Sequence, residues 1–150
     1  RRTAGCVRSH RTENMTMKTL ADIEQIAGRR AYDWLARDLE TPVLSGPQAQ
    51  GDLFVLPITS EVSGSDVLRA GVDVIEPTAD GGHAHTLVAP DGGVALEWVD
   101  GHAHVIALIC VAQPAYLLHD EHGASGIAPG NYELRRQTET SLAEQRRVAD

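Results

Sequence analysis

Four of the chain's seven histidines fall in two copies of one tetrapeptide, Gly82-His83-Ala84-His85 and Gly101-His102-Ala103-His104. A third dense group, LLHDEHG, runs from Leu117 to Gly123 and carries His119, Glu121 and His122. Residues i and i+2 of a strand share a face, so His83 and His85 point the same way. Two imidazoles converging at the end of an apolar interior make half of a divalent-metal site. The set expected from these segments is His83, His85, His119 and His122 as ligands, with Glu121 as a further ligand or a close support. One divalent transition metal is the implied cofactor, and ligand type does not choose among Zn, Cu, Fe and Ni. An open coordination position would permit hydrolytic or oxygen chemistry. The chain has no nucleophile beside its base, no phosphate-cradling glycine loop and no dinucleotide fingerprint. No catalytic residue is therefore assigned, and the reading leans away from an enzyme.

The second tetrapeptide reads differently. With Pro90–Gly93 and Asp100-Gly101 as simple hairpin turns, Ala89 opposes Val94 and His85 opposes Trp98. Val99 then opposes His102 and Glu97 opposes His104. The first pair of histidines shares its face with Leu87, Ala89 and Leu96, whereas the second pair lies on the other face, because side chains alternate strictly along a strand. His102 and His104 are read as strand-end surface or interface residues.

Residues 50–137 supply the elements that must position these groups. GDLFVLPI, GVDVIEP, HAHTLVA, VALEWV, HAHVIALICVA, AYLLH and NYELRRQ are short β-type runs separated by Gly, Pro and Asp punctuation. About seven short strands at this spacing predict a mainly β domain, an antiparallel barrel or sandwich. Before them, residues 17–40 carry Leu20, Ile23, Ile26, Ala27, Ala31, Trp34, Leu35 and Leu39 at three- and four-residue steps. This pattern predicts one amino-terminal amphipathic helix with Thr16 or Thr19 as its cap and Pro42 as its stop. SGPQAQG reads as a loop. Residues 1–16 have no periodicity and read as an extension, and residues 138–150 as a polar tail.

Along Val105–Val111 both faces are apolar, so both must be covered. One covers the core, and the other needs the helix or a second copy of the chain. A homo-oligomer built by self-assembly is accordingly the alternative function, with the histidines at turns or at an interface.

Composition narrows the partners. With 21 carboxylates against 13 Lys and Arg the formal charge is −8, which argues against a phosphate-binding surface and hence against nucleic acid. No stretch reaches the apolar length of a membrane span, and no signal-peptide core is visible, so a cytoplasmic location is the default expectation. Cys6 and Cys110 sit in no metal-ligand or redox spacing and are expected to be reduced, with Cys110 a small buried hydrophobe in VIALICVA.

GDLFVLPI, GHAH, LLHDEHG and IAPGNYELRRQTE, in that order, resemble a group of small uncharacterised bacterial β-proteins of actinobacterial type. That group has a GHxH element, an HEEH element and a P-G-x-Y-x-V-x-R-Q ending. The resemblance spans residues 50–150 and brings no activity with it. It implies that Gly82, His83, His85, His119, Glu121, His122, Pro129, Gly130, Tyr132, Arg136 and Gln137 belong to one design, and this chain departs from it with Asp120 in the HEEH element. H-x-H on a strand is also similar, in architecture alone, to the cupin metal proteins. The Glu and the further His of the cupin motifs have no counterpart in TLVAP or IAPGNYEL.

Overall fold

A computed structural model describes residues 17–137. The expected extension over 1–16 and the tail over 138–150 lie outside these residues. Helix α1 is Leu20–Ala27, and the strands are β1 Val43–Leu44, β2 Gln48–Gln50, β3 Leu53–Pro57, β4 Ser65–Asp66, β5 Val72–Ile75, β6 His85–Val88, β7 Val94–Trp98, β8 Val105–Val111, β9 Ala115–His119, β10 Gly123–Ile127 and β11 Gly130–Arg136. They form two sheets, one ordered β1-β10-β9-β6-β5 and the other β2-β3-β11-β8-β7-β4. The fold is therefore a sandwich, and the described strands form no closed barrel. The strands among the described residues number eleven rather than about seven. The additional ones are short edge pieces and β10, whose Gly-Ala-Ser-Gly composition reads as a turn but which pairs with β9 from Gly123↔His119 to Ile127↔Ala115. β2 likewise lies in the segment expected to be a loop, and β1 begins before residue 50.

Alternation sorts the strands into faces. Leu53 and Val55, Ala107, Ile109 and Val111, and Tyr132 and Leu134 from one sheet meet Leu87, Ala89, Leu117 and Ile127 from the other in the main core. The helix packs Leu20 and Ile23 on the outer face of the five-stranded sheet, against Val88, Tyr116 and Leu118. The outer face of β8 is covered from the connection after β3, where Ile58 and Val62 pack with Ala95, Leu108 and Cys110. The helix does not cover this face; Cys110 is buried there, whereas Ile106 and Leu108 are partly exposed. Cys110 is buried as expected, but it is not a free thiol.

The helix is shorter than its periodicity suggests. Thr19 caps its start in a reciprocal pair with Asp22. Gly28 ends it at φ 68°, a left-handed residue whose amide bonds back to the Glu24 carbonyl. The apolar spacing beyond Gly28 belongs to an irregular segment, in which Trp34 is 74% exposed and Leu39 65% exposed. That segment is anchored by Arg37, which pairs with the buried Glu24 at 2.9 Å. No helix among the described residues is long and apolar enough to cross a membrane.

Two turns also differ from expectation. Residues 90–93 carry the chain from β6 in one sheet to β7 in the other, so they do not close a hairpin and His85 does not face Trp98. β7 and β8 do form a hairpin, but Trp98 pairs with Ala107 and the Val99 amide reaches the Ile106 carbonyl. Asp100-Gly101 therefore belongs to a longer loop that contains His102 and His104.

Candidate functional site

The site is built where β6 begins and β9 ends. His85 and His119 are direct cross-strand partners. Both lie in phase with core residues of their own strands, Leu87 and Leu117, so both rings point into the end of the sandwich interior. Both are buried. The rings of His85 and His122 lie 4.4 and 4.6 Å from that of His119, and the ring of His83 lies 5.6 Å from it. Three of the four histidines singled out by sequence, His83, His85 and His122, thus surround the fourth, His119. Glu121 contributes its backbone amide to the turn after β9, and its side chain is exposed. His102 and His104 lie apart, in the loop between β7 and β8.

The partners of each ring fix where its proton sits. His83 Nδ1 faces a carboxylate oxygen of Asp120 at 3.2 Å, so it carries the hydrogen and donates. Its Nε2 then accepts from the Tyr32 hydroxyl at 3.0 Å. The Gln50 amide nitrogen donates to the Leu117 carbonyl at 2.9 Å. Gln50 Oε1 therefore faces His85 Nδ1 at 3.0 Å and receives its hydrogen. That leaves His85 Nε2 with a lone pair directed at Asp52 Oδ1, 3.1 Å away. Two acceptors at this distance call for a proton shared by the pair. His119 is wired the opposite way: its Nδ1 accepts the amides of Glu121 and His122 at 3.1 and 3.2 Å. Its hydrogen is therefore on Nε2, and the ring closes the turn that carries His122.

Electrostatics keep the centre of the cluster uncharged. Burial, joined by the neighbouring charges of His85, His122 and His83, pushes the His119 imidazole down to about 4. Burial also lowers His85, against the opposing pull of Asp52. For His85, proton counting and burial point in opposite directions. The burial effect gives the direction of its titration, and the hydrogen-bond geometry identifies where a shared proton would sit. Neutral imidazoles are the form that binds metal. As the side chains stand, however, no three His, Cys, Asp or Glu groups among the described residues are arranged to hold a metal ion. The nitrogens of His83 and His85 are all engaged by protein groups.

Several site residues escaped the sequence reading. Gln50, Gly51 and Asp52 form the turn between β2 and β3. Gly51 adopts φ 59°, and a Cβ there would lie 3.1 Å from His122 Nε2 and 3.6 Å from His85 Cε1. The second oxygen of Asp52 pairs with Arg136 Nε at 3.2 Å, and Arg135 pairs with Glu133 at 2.8 Å. Arg29 joins Asp120, Asp73 and Thr86 on the helix side. The available signal was Gln50-Gly51-Asp52 immediately before a strand, a glycine turn flanked by two polar side chains. Nothing local linked it to histidines more than thirty residues away.

The model of a domain of unknown function, DUF8820, matches residues 49–137. The match takes in His83, His85, His119, His122, Gln50, Gly51 and Asp52, and leaves out α1, Arg29 and Tyr32. No curated protein and no solved structure matches the chain. More than half of the chain lies within the match, and the protein belongs to this family.

Proposed function

We propose that this member of the DUF8820 family is a metal-binding β-sandwich whose histidine cluster takes one divalent transition metal at the end of the interior. The observation that carries the reading is the convergence of His83, His85 and His122 around His119, from two segments far apart in sequence. The wiring supports it. His83 and His85 both commit Nδ1–H to an acceptor, Asp120 or Gln50, which is how metal-ligating histidines are commonly oriented. Their Nε2 atoms are the donors in this reading, His122 and the Asp52 carboxylate complete the set, and His119 holds the turn. Metal entry exchanges the present hydrogen bonds for coordination.

The test is zinc titration by calorimetry on three chains: the parent, His83→Ala/His85→Ala and His102→Ala/His104→Ala. One zinc per chain in the parent, lost in the first double variant and kept in the second, is the expected result. Equal uptake by all three chains would mean adventitious binding to surface imidazoles and would end the reading.

A further inference from the structure

Tyr32 stands outside the family-matched region, yet its hydroxyl reaches the proposed site. Asp120 accepts from His83 Nδ1, so His83 Nε2 is an acceptor and Tyr32 is the donor at 3.0 Å. The nitrogen needed for metal is the one that the phenol holds. The backbone under Tyr32 is fixed: its amide donates to the Asp120 carbonyl at 2.9 Å, its carbonyl accepts from Arg37 at 3.1 Å, and the neighbouring Ala31 amide donates to buried Glu24 at 2.8 Å. The ring is less confined. It is half-buried and lies edge-on to His83, with Trp34 as its outer neighbour at 4.5 Å between centroids. Trp34 itself is largely exposed, so both rings can turn without opening the core.

We infer that Tyr32 is a built-in competitor for the metal site: its hydroxyl occupies His83 Nε2, and metal binding requires the Tyr32 side chain to swing away and shift its tilted ring neighbour Trp34. The inference rests on the metal-binding reading and adds its regulation. Of the ligand atoms in that reading, one, His83 Nε2, is held by a residue of the amino-terminal segment. Access to the site is then set by a part of the chain that the family domain does not include.

The two tryptophans of the chain allow a direct test. In a Trp98→Phe background Trp34 is the sole tryptophan, and zinc, being diamagnetic, reports through ring movement rather than quenching. Zinc is titrated into this chain and into the same chain with Tyr32→Phe, with calorimetry and tryptophan emission read together. Removing one net hydrogen bond makes binding about threefold to tenfold tighter in the Tyr32→Phe chain. Emission changes up to one equivalent of zinc when Tyr32 is present and stays flat when it is Phe. Equal or weaker zinc affinity in the Tyr32→Phe chain, with emission insensitive to zinc in both, overturns the inference while leaving the metal site in place. Failure of both chains to bind zinc overturns the metal-binding reading and this inference together.

Discussion

Gly82–His85 and Gly101–His104 are the same four residues with different fates. In the second copy His102 Nδ1 accepts the amides of His104 and Val105 at 3.1 and 2.9 Å. In LLHDEHG, His119 does the same with the amides two and three residues on. Locally, then, His102 and His119 perform one task, in which an imidazole stands in for the short polar side chains that commonly close such turns. What separates them is the strand alongside. His119 ends β9 opposite His85, on a face directed inward. His102 sits in an exposed loop with His104 as its ring neighbour, 6.4 Å away. A histidine motif becomes a candidate site through its cross-strand partner rather than through its own spacing.

The largest expected difference between the two copies is in zinc uptake, with complete loss on removing His83 and His85 and none on removing His102 and His104. Acid stability sharpens the contrast next. His119 titrates near 4 in the folded chain and near its ordinary 6.5 when unfolded. Between these values the unfolded state binds more protons, so stability falls as pH drops from about 6.5 to about 4 and levels off below. The loss is on the order of 3 kcal/mol. Urea unfolding at pH 7, 5.5 and 4 measures it, and His119→Gln flattens the slope. Gly51→Ala tests the turn that faces the cluster. Its left-handed backbone makes alanine cost about 1–2 kcal/mol, and the new methyl crowds His122, so unfolding and zinc affinity shift together. The smallest effect is at His102→Ala, which removes a turn closure worth less than about 1 kcal/mol by analogy with helix caps. A thermal shift in the same buffer reads it.

The sequence made the β class legible because seven of the strands are apolar runs with clear punctuation. It concealed β10, whose glycines and small residues promise a turn and which is held in place by β9 and β1 rather than by its own preferences. The helix was legible at its capped start and misleading beyond Gly28. Apolar spacing continued there, although the backbone had already turned into the left-handed region. Within the site, the inward direction of His85 followed from alternation, whereas His83 lies before β6 and bonds Tyr32 and Asp120 on the helix side. The meeting of His83 and His85 with His119 and His122 depended on β6 pairing with β9, a long-range choice that no local pattern specifies. The supporting groups Gln50, Asp52 and Tyr32 depended on longer-range contacts still.

The position of β11 has a consequence in time. It lies between β3 and β8 in the six-stranded sheet, pairing Tyr132 with Pro57 on one side and with Ile109 on the other. During synthesis at roughly 5–20 residues per second, β3 waits about 4–16 seconds for its central neighbour. His83, His85, His119 and His122 are all made within that interval, before the central strand arrives. The five-stranded sheet that pairs His85 with His119 has all its strands by Ile127, whereas the sheet that brings Gln50 and Asp52 to the cluster is complete only with β11.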